Sequence, residues 1–326
     1  MRNILISGGT GFVGKALCGE LVRKGFIVRA AARSVTNSVD TIDTMQVGNI
    51  DGDTDWTVPL GDVDVVIHLA ARVHLKEESN VESLEKYRKV NVEGTLNLAR
   101  QASLAGVRRF IFISSLKVNG ESTPLAKPFT ADDLPAPEGG YAISKREAED
   151  GLRQLSSETG METVIIRPPL VYGPGVKANF LNLMRWLQTG VPLPLGAIKN
   201  KRSLVALDNL NDLIITCIDH PGAANQTFLV SDDQDVSTTE LLQQTAGVLG
   251  VTARLLPVPM GLLRMFAKFS GRSDVYQRLC GSLQVDIGKT TELLGWLPPF
   301  SQQQALQKTA DFFRSANRNK SGFSIR

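Results

Sequence analysis

Short apolar, β-branched runs alternate with longer segments of helical periodicity through the first half of the chain. Continuous apolar runs of this length are typical of strands buried on both faces, and the helical segments between them indicate βαβ units. The pattern therefore predicts the α/β class, with a doubly wound parallel sheet covered by helices. The predicted strands contain the segments NILIS, FIVRAA, DVVIHLA, RFIFISS and ETVIIRP.

The pattern changes after the segment RPPLVYGPG, where the apolar positions become less regular. Later helices are indicated by NFLNLMRWLQ, STTELLQQTAGVLG and SQQQALQKTADFFRSA. We predict a first domain over residues 1–170 and a smaller C-terminal α/β domain over residues 171–326. Segments of the second part are expected to return to the first sheet.

Length and composition agree with two globular domains. At 326 residues the chain can bury large cores, and 42% hydrophobic with 21% charged residues is typical of a globular protein. The net charge is only +3, so the charge balance indicates no nucleic-acid partner. The cysteines and histidines show neither paired nor metal-ligand spacing, so we expect reduced, buried thiols and no metal site. They are Cys18, Cys217, Cys280, His68, His74 and His220.

No segment has the features of a signal peptide or a membrane span. The first predicted strand follows Met1 almost directly, so we expect a cytoplasmic protein whose mature chain starts there. The longest apolar segment, VPMGLLRMFAKF, is interrupted by Arg264 and Lys268 and is shorter than the ~20 residues that span a bilayer. It predicts an amphipathic helix with its apolar face on a core or near a substrate. Contact with a membrane surface is the alternative.

A glycine-rich turn lies between the first predicted strand and the first predicted helix. In ILISGGTGFVGKAL, Gly8, Gly11 and Gly14 form a G-x-x-G-x-x-G pattern. Such glycines allow a tight turn and close backbone approach, so a pyrophosphate can bind at the helix N-terminus. The context predicts a Rossmann-type dinucleotide site, which includes Phe12 and Val13 between the last two glycines.

The residue at the end of the second strand indicates the cofactor. An NAD site usually places a carboxylate there for the ribose hydroxyls, but the chain has no acidic residue between Glu20 and Asp40. Arg33 occupies the expected position, and Arg29 lies on the same strand. A guanidinium can bind a 2′-phosphate, which favours NADP(H). NAD(H) with solvated arginines is the alternative.

Three further segments are predicted to complete the cofactor site. The VGNI segment could line the adenine, and HLAAR ends a strand at the sheet edge where doubly wound folds bind ligands. We interpret His68, within HLAAR, as a packing residue. The predicted cofactor contacts here and in RPPLVYGPG are Asn49, Ile50, Leu69, Ala70, Ala71 and Pro168.

Tyr141 and Lys145 are candidates for catalysis in the segment YAISK. At spacing i,i+4 their side chains leave one face of a helix about one turn apart. By itself this spacing also fits two ordinary surface residues.

The order of motifs along nearly the whole chain resembles the extended short-chain dehydrogenase/reductases of the nucleotide-sugar epimerase/dehydratase group. They are GGTGFVG, HLAA, VNVEGTLNLA, ISS before VNG, YAISK, RPPLVYGPG, LDNLNDLI and LGWLPPFS. The resemblance implies that Ser115, Tyr141 and Lys145 are catalytic, and that Lys145 also holds the nicotinamide ribose. A neighbouring ammonium would favour the phenolate of a tyrosine, whose ordinary pKa is near 10.

Two departures from the family pattern bear on the reaction. Leu116 and Lys117 stand where 4,6-dehydratases typically carry Asp-Glu, so water elimination is not expected. Leu170 replaces an asparagine that contacts the nucleotide sugar in many members, which implies a different sugar pose. Arg202 matches the family's phosphate-binding arginine. The remaining substrate candidates are Lys117, Asn179 and Arg278, and each could equally be an ordinary solvated residue.

The segments SSLKVNGE and RPPLVYGPGVKANF are similar to those of UDP-4-keto-6-deoxy-N-acetylglucosamine 4-reductases of surface-polysaccharide synthesis. The resemblance implies an NADPH-dependent 4-ketoreductase of a UDP-sugar; the alternative is an NAD-dependent UDP-sugar 4-epimerase. A regulatory binding module is a third class, which the intact Ser115, Tyr141 and Lys145 disfavour. Family members often pair through two long helices, here VNVEGTLNLARQA and YAISKREAEDGL, which implies a homodimer.

Overall fold

The computed structural model describes residues 2–34, 42–73 and 80–321, with side chains for all of these except 80–82 and 319–321. Within them, seven parallel strands form one sheet in the order β3-β2-β1-β4-β5-β6-β9, and β7 pairs with β8 separately. The predicted α/β class and doubly wound parallel sheet are confirmed. The strands are β1 (Asn3–Ser7), β2 (Ile27–Ala32), β3 (Asp43–Gln46), β4 (Val65–His68), β5 (Arg109–Ile113), β6 (Glu162–Arg167), β7 (Leu170–Tyr172), β8 (Leu204–Ala206) and β9 (Thr227–Leu229).

Helices follow most of these strands, as βαβ connections require. They are α1 (Phe12–Arg23), α2 (Asn80–Arg88), α3 (Gly94–Leu104), α4 (Gly139–Thr159), α5 (Ala178–Thr189), α6 (Leu207–Asp219), α7 (Thr238–Leu249), α8 (Met260–Phe269), α9 (Ser273–Cys280), α10 (Gly288–Leu294) and α11 (Gln302–Ser321). The predicted helix over residues 90–105 is interrupted, because a π-helical turn, Lys89–Glu93, precedes α3. A short 3₁₀ turn, Leu116–Val118, follows β5.

Alternate side chains of the strands form two cores on the two faces of the sheet. Ile4 and Ile6 of β1 belong to one core, together with apolar residues of α1 and α6. Leu5, between them in sequence, belongs to the other core with residues of α3 and α4. Because both faces are covered, the strands show continuous apolar runs in the sequence.

The second half of the chain contributes to the main sheet through α6 and β9. β9 pairs with β6 in parallel, Ile165 opposite Thr227. Arg109, at the start of β5, is fully buried, and its Nη1 donates to the carbonyls of Cys217 (2.6 Å), Ile218 (3.1 Å) and His220 (3.0 Å). The C-terminal end of α6 is thereby fixed beneath the sheet. The domain division near residue 170 stays a prediction.

A third core lies between β7–β8 and helices α5, α7 and α11. A capping box starts α7: Ser237 Oγ accepts from the Glu240 backbone N–H at 3.0 Å, and the Glu240 carboxylate accepts from that of Ser237. All three cysteines are free and buried, as expected. His74, among the histidines considered above, lies outside the described residues.

The helix predicted over VPMGLLRMFAKF is present as α8, and of the two places expected for its apolar face only the one near a substrate stays a prediction. The segment VPMGLLRMFAKF forms a helix, but no side chain of α8 is buried, so its apolar residues do not enter a core. In the described part of the chain, no helix is both long enough and apolar enough to cross a membrane.

Candidate active site

The glycine turn after β1 leaves no room for side chains at two of its positions. Gly8 has φ +76°, and a Cβ placed there would lie 2.8 Å from the backbone nitrogen of Ala70. A Cβ on Gly14 would lie only 2.2 Å from the carbonyl oxygen of Gly8. Both glycines are therefore required for close packing of the β1 and β4 ends against α1.

The N-terminus of α1 has the free donors that a pyrophosphate needs. Gly11 is the N-cap residue, its own N–H donates to the Gly8 carbonyl at 2.9 Å, and no side chain caps the helix. No acidic residue lies in the first turn, which begins with Phe12 and Val13. Unsatisfied N–H groups and the helix dipole favour an anion at this point, so the residues fit a dinucleotide cofactor.

The carboxyl end of β2 carries a cation. Arg33 follows the last residue of β2 and is exposed. Arg29, on the same strand, is held by contacts with protein groups. It bonds to Asp43 of β3 at 3.0 Å and donates to the carbonyls of Pro59 (2.9 Å) and Gly61 (2.8 Å). Arg29 thus joins β2 to neighbouring elements, and Arg33 alone stays available at the strand end.

The adenine candidates Asn49 and Ile50 follow β3, next to the end of β2. The N–H of Val47 donates to the carbonyl of Ala32 at 3.0 Å, which holds the start of this loop beside β2. Asn49 is exposed and Ile50 is partly buried. Their position agrees with a role at the outer end of a dinucleotide, which stays a prediction.

Asn91 fixes the loop after β4, where the candidates Leu69, Ala70 and Ala71 lie. Its Oδ1 accepts from the Arg72 N–H at 2.8 Å, and its Nδ2 donates to the Arg72 carbonyl (3.1 Å) and to Ser144 Oγ on α4 (3.0 Å). Asn91 is buried in the π-helical turn. Sequence reasoning missed Asn91 and Ser144, although both lie in the quoted motifs VNVEGTLNLA and YAISK.

His68 is a buried structural residue, as interpreted from the sequence. Its Nε2 lies 2.9 Å from Thr95 Oγ1, whose proton is donated to the Asn91 carbonyl at 2.7 Å, so Nε2 is the protonated nitrogen. Nδ1 then accepts from Ser7 Oγ. Burial, with the nearby charge of Lys145, lowers the pKa of His68 to about 3, so the ring stays neutral.

Ser115 and Tyr141 come together although 26 positions separate them in the chain. Ser115 follows β5, where the N–H of Leu116 donates to the carbonyl of Pro168 at 3.0 Å and so joins the ends of β5 and β6. Burial raises the pKa of Tyr141 to about 12, and a hydrogen bond with the Ser115 side chain opposes the increase. The edge of the Tyr141 ring meets Tyr87 of α2, with the ring centroids 6.1 Å apart. At neutral pH Tyr141 is therefore a protonated phenol.

Lys145 is buried one helical turn after Tyr141 on α4. Its Nζ donates to the Ile113 carbonyl at 2.8 Å and lies 4.3 Å from the centroid of the Phe112 ring. Burial lowers the pKa of Lys145 to about 7, and the negative charge of Glu149 opposes this decrease. The ammonium is therefore close to its titration point at neutral pH.

Glu149 connects Lys145 to the ends of two strands. Its carboxylate accepts from Ser114 Oγ at 2.6 Å, from Arg167 Nε and Nη2 at 2.9 and 2.5 Å, and from Arg153 Nη2 at 3.0 Å. Burial alone would raise the pKa of Glu149, but the hydrogen bonds and charge of Arg167 hold it below the ordinary value. Sequence reasoning did not identify this network.

The candidates for phosphate binding form ion pairs or hydrogen bonds to backbone carbonyls. They are Lys117, Arg202 and Arg278. Lys117 pairs with Glu121 at 2.6 Å. Arg202 Nη1 donates to the carbonyls of Arg278 and Gly281, both at 3.0 Å. Burial lowers the pKa of Arg202, and the charge of Glu121 opposes this.

Arg278 pairs with Asp274 within α9 and is exposed. Asn179 is exposed in the first turn of α5, and Leu170 is exposed at the start of β7. The structure brings Arg202 and Arg278 together, but it gives no contact that joins Asn179 to them. The substrate roles of all these residues stay predictions.

A doubly wound parallel sheet with a glycine turn after its first strand is the fold of dinucleotide-binding enzymes, and Ser115, Tyr141 and Lys145 form the candidate catalytic group within it. The chain belongs to the NAD dependent epimerase/dehydratase family, whose profile matches residues 4–231. It is therefore an enzyme of the extended short-chain dehydrogenase/reductase type, as the resemblance implied. The reductase subgroup within this family stays a proposal.

One curated relative is a UDP-glucose 4-epimerase of Vibrio cholerae, 51% identical over 318 residues, with 97% of each chain covered. Among solved structures, a UDP-glucose 4-epimerase of Thermotoga maritima with UDP-glucose superposes with a TM-score of 0.75 at 22% identity, covering 97% of this chain and 100% of the other. A UDP-glucuronic acid 4-epimerase of Bacillus cereus in complex with NAD gives a TM-score of 0.77 at 20% identity, covering 96% and 99%. The two structures support the fold.

Proposed function

We propose that the protein is an NADPH-dependent 4-ketoreductase of a UDP-4-keto-6-deoxyhexosamine. The observation that carries the proposal is the hydrogen bond between Tyr141 and Ser115, with the buried Lys145 one helical turn after Tyr141 on α4. This combines a proton donor, a hydroxyl beside it and a buried cation on the same helix.

The cofactor would be held by the glycine turn, by the residues after β4 and by Arg33. Uncapped N–H groups at the start of α1 suit the pyrophosphate, and the exposed guanidinium of Arg33 suits a 2′-phosphate. When bound, a reduced nicotinamide supplies the hydride for C4 of the sugar. Phosphate recognition by Arg33 favours NADPH, which exchanges after each turnover, over a permanently bound cofactor.

The residues of the chain supply the proton. Reduction at C4 turns a carbonyl oxygen into an alkoxide, and Tyr141 donates its phenolic proton to that oxygen because its pKa of about 12 keeps it protonated. Ser115 hydrogen-bonds the same oxygen and stabilises its developing charge. The phenolate that remains is stabilised by the ammonium of Lys145, which is then a proton source for restoring Tyr141.

The substrate preference rests on what surrounds Ser115. Leu116 is buried and Lys117 is paired with Glu121, so the two positions after Ser115 provide neither the acid nor the base of a dehydratase. Arg202 and Arg278 lie together and would bind the diphosphate of the nucleotide sugar. The exposed Leu170 offers the sugar an apolar contact in place of an amide.

A second candidate, UDP-sugar 4-epimerase, is favoured by the 51% identical relative with that activity in its name. An epimerase uses the same three side chains, but Tyr141 first removes the proton of the C4 hydroxyl and later returns it. The hydride must return to the opposite face of the sugar, so the cofactor has to stay bound. The two candidates therefore differ in whether cofactor is consumed.

The test measures the absorbance of NADPH when cofactor-free protein meets UDP-4-keto-6-deoxy-N-acetylglucosamine, with NADH and UDP-N-acetylglucosamine as controls. We expect consumption equal to product formed and faster with NADPH. An outcome without consumption, together with interconversion of UDP-glucose and UDP-galactose by NAD-loaded protein, would replace the reductase with the epimerase. A cytoplasmic location and a homodimer stay predictions, and light scattering tests the latter.

A further inference from the structure

Four large apolar side chains form a continuous exposed face on α8. Leu262 and Met265 are each 45% exposed, Phe266 is 66% exposed and Phe269 is 85% exposed. Their spacing of i, i+3, i+4 and i+7 places all four on one side of the helix. The opposite side, with Met260, faces the protein and is only partly covered. An apolar face this exposed indicates a binding surface, because isolated exposed side chains are ordinary but contiguous patches are not.

Exposed cations lie on α8 and directly after it. Lys268 lies to one side of the apolar face, Arg264 lies nearer the opposite side of the helix, and Arg272 follows α8; all three are exposed. Asp274 is the one acidic residue between positions 254 and 280, and it pairs with Arg278. In the described parts of the chain, no carboxylate forms an ion pair with Arg264, Lys268 or Arg272. Their charge is therefore available to a negative partner.

We propose that α8 docks on the surface of an anionic lipid bilayer, with its apolar face among the acyl chains and its cations at the headgroups. A short helix with aromatic and aliphatic side chains on one face and basic residues beside it is typical of interfacial helices. Charge complementarity supports this occupant, because phosphate headgroups match the exposed cations and the acyl boundary matches Phe266 and Phe269. A second copy of the chain docked on α8 would bring the same unpaired cations together, which disfavours self-association through this helix.

The docking surface lies beside the candidate phosphate residues. Helix α9 packs against α8 and carries Arg278, whose backbone carbonyl accepts from Arg202 at 3.0 Å. Docking through α8 would therefore hold the substrate end of the protein near the membrane. The inference rests on the exposure and charge of α8 alone, so it does not depend on the proposed reaction.

The experiment is co-sedimentation of the full chain with vesicles of phosphatidylglycerol and phosphatidylcholine, compared with phosphatidylcholine alone. We expect binding to the anionic vesicles that weakens as salt is raised, and little binding to neutral ones. The double variant Phe266→Ser/Phe269→Ser should bind the anionic vesicles at least about tenfold more weakly than the parent protein. Lys268→Gln should bind them about fivefold more weakly. The matched control is Leu104→Ser on α3, where an 89% exposed leucine should have no effect on vesicle binding.

Three results would overturn the proposal. The first is that the protein binds neither type of vesicle. The second is that the double variant binds anionic vesicles as well as the parent protein does. The third is that light scattering shows a dimer that the double variant abolishes, while no vesicle binding is seen. Thermal unfolding of the variants in lipid-free buffer should match that of the parent protein, which separates a lost surface from a lost fold.

Discussion

Glu149 lies one helical turn after Lys145 on the buried face of α4, and its negative charge favours the protonated form of that lysine. The same carboxylate accepts two hydrogen bonds from the equally buried Arg167. Glu149 therefore compensates two cations at once, one in the candidate catalytic group and one at the end of β6. Removing its charge should affect both the fold and the titration of Lys145.

We expect Glu149→Gln to lower the free energy of unfolding by about 3–5 kcal/mol, because it leaves the guanidinium of Arg167 buried without a counter-charge. Urea unfolding monitored by circular dichroism measures the change. The control is Glu147→Gln, which removes a partly exposed partner of Arg88 and should cost no more than about 1 kcal/mol. Equal losses of unfolding free energy in the two variants would contradict the claim that the buried ion pair contributes more to stability than the exposed one.

Tyr141→Phe should lower kcat by about 10²- to 10⁴-fold, the usual contribution of a positioned proton donor. The ring remains, so packing against Tyr87 and the unfolding midpoint should change little. Steady-state NADPH oxidation with the keto-sugar substrate gives kcat, and Tyr276→Phe on α9 is a control tyrosine. Near-normal turnover by Tyr141→Phe would refute the proposed proton transfer.

Arg33→Ala tests the choice between NADPH and NADH. A charge-assisted contact to the 2′-phosphate contributes about 1.5–3 kcal/mol, so KM for NADPH should rise roughly 10- to 100-fold while KM for NADH changes little. Arg29→Ala is the contrasting variant, since Arg29 bonds to Asp43 and should affect stability more than cofactor preference. An equal rise in KM for NADPH and NADH in Arg33→Ala would show that Arg33 does not recognise the 2′-phosphate.

Two glycines of α1 should respond in opposite ways to alanine. Gly14→Ala forces a Cβ to 2.2 Å from the Gly8 carbonyl, so it should disrupt the turn and abolish cofactor binding. Gly19→Ala meets no atom within 4 Å and should stabilise the helix by about 0.5–1 kcal/mol. Thermal unfolding with and without NADPH measures both effects, and unchanged cofactor binding by Gly14→Ala would contradict the close packing.

His68 should make the protein sensitive to acid. Its folded pKa of about 3 lies below the ordinary value of 6.5, so the unfolded chain binds the extra proton between these values. Stability should therefore fall as pH drops from 6.5, by about 2 kcal/mol at pH 5. Urea unfolding at pH 7 and pH 5 should show a smaller decrease for His68→Gln than for the parent chain, whereas identical decreases would argue against a buried neutral imidazole.

The sequence was sufficient to predict the parallel sheet and the glycine turn, because both depend on local patterns. Buried strands show as apolar runs, and the turn shows as glycines at fixed spacing. The contact between Ser115 and Tyr141 was predicted by family resemblance. No spacing rule could have brought two segments so far apart in the chain together.

The parts that could not be predicted depend on contacts between distant segments. Glu149 resembles any helical glutamate in the sequence, and only its contacts with Ser114 and Arg167 distinguish it. The pattern of α8 identified an amphipathic helix but not which partner covers its apolar face. The periodicity of a helix shows which side of it is apolar, whereas the burial of that side depends on which part of the protein or which partner packs against it.

The fully buried Arg109 has a consequence for how the protein is made. Its carbonyl acceptors at Cys217, Ile218 and His220 follow it by 108 to 111 residues. A ribosome that adds about 5–20 residues per second leaves this cation without those acceptors for roughly 5–20 s. The nascent first half therefore cannot reach its final packing alone, and the outer edge of β6 remains open to chaperones until β9 has been translated.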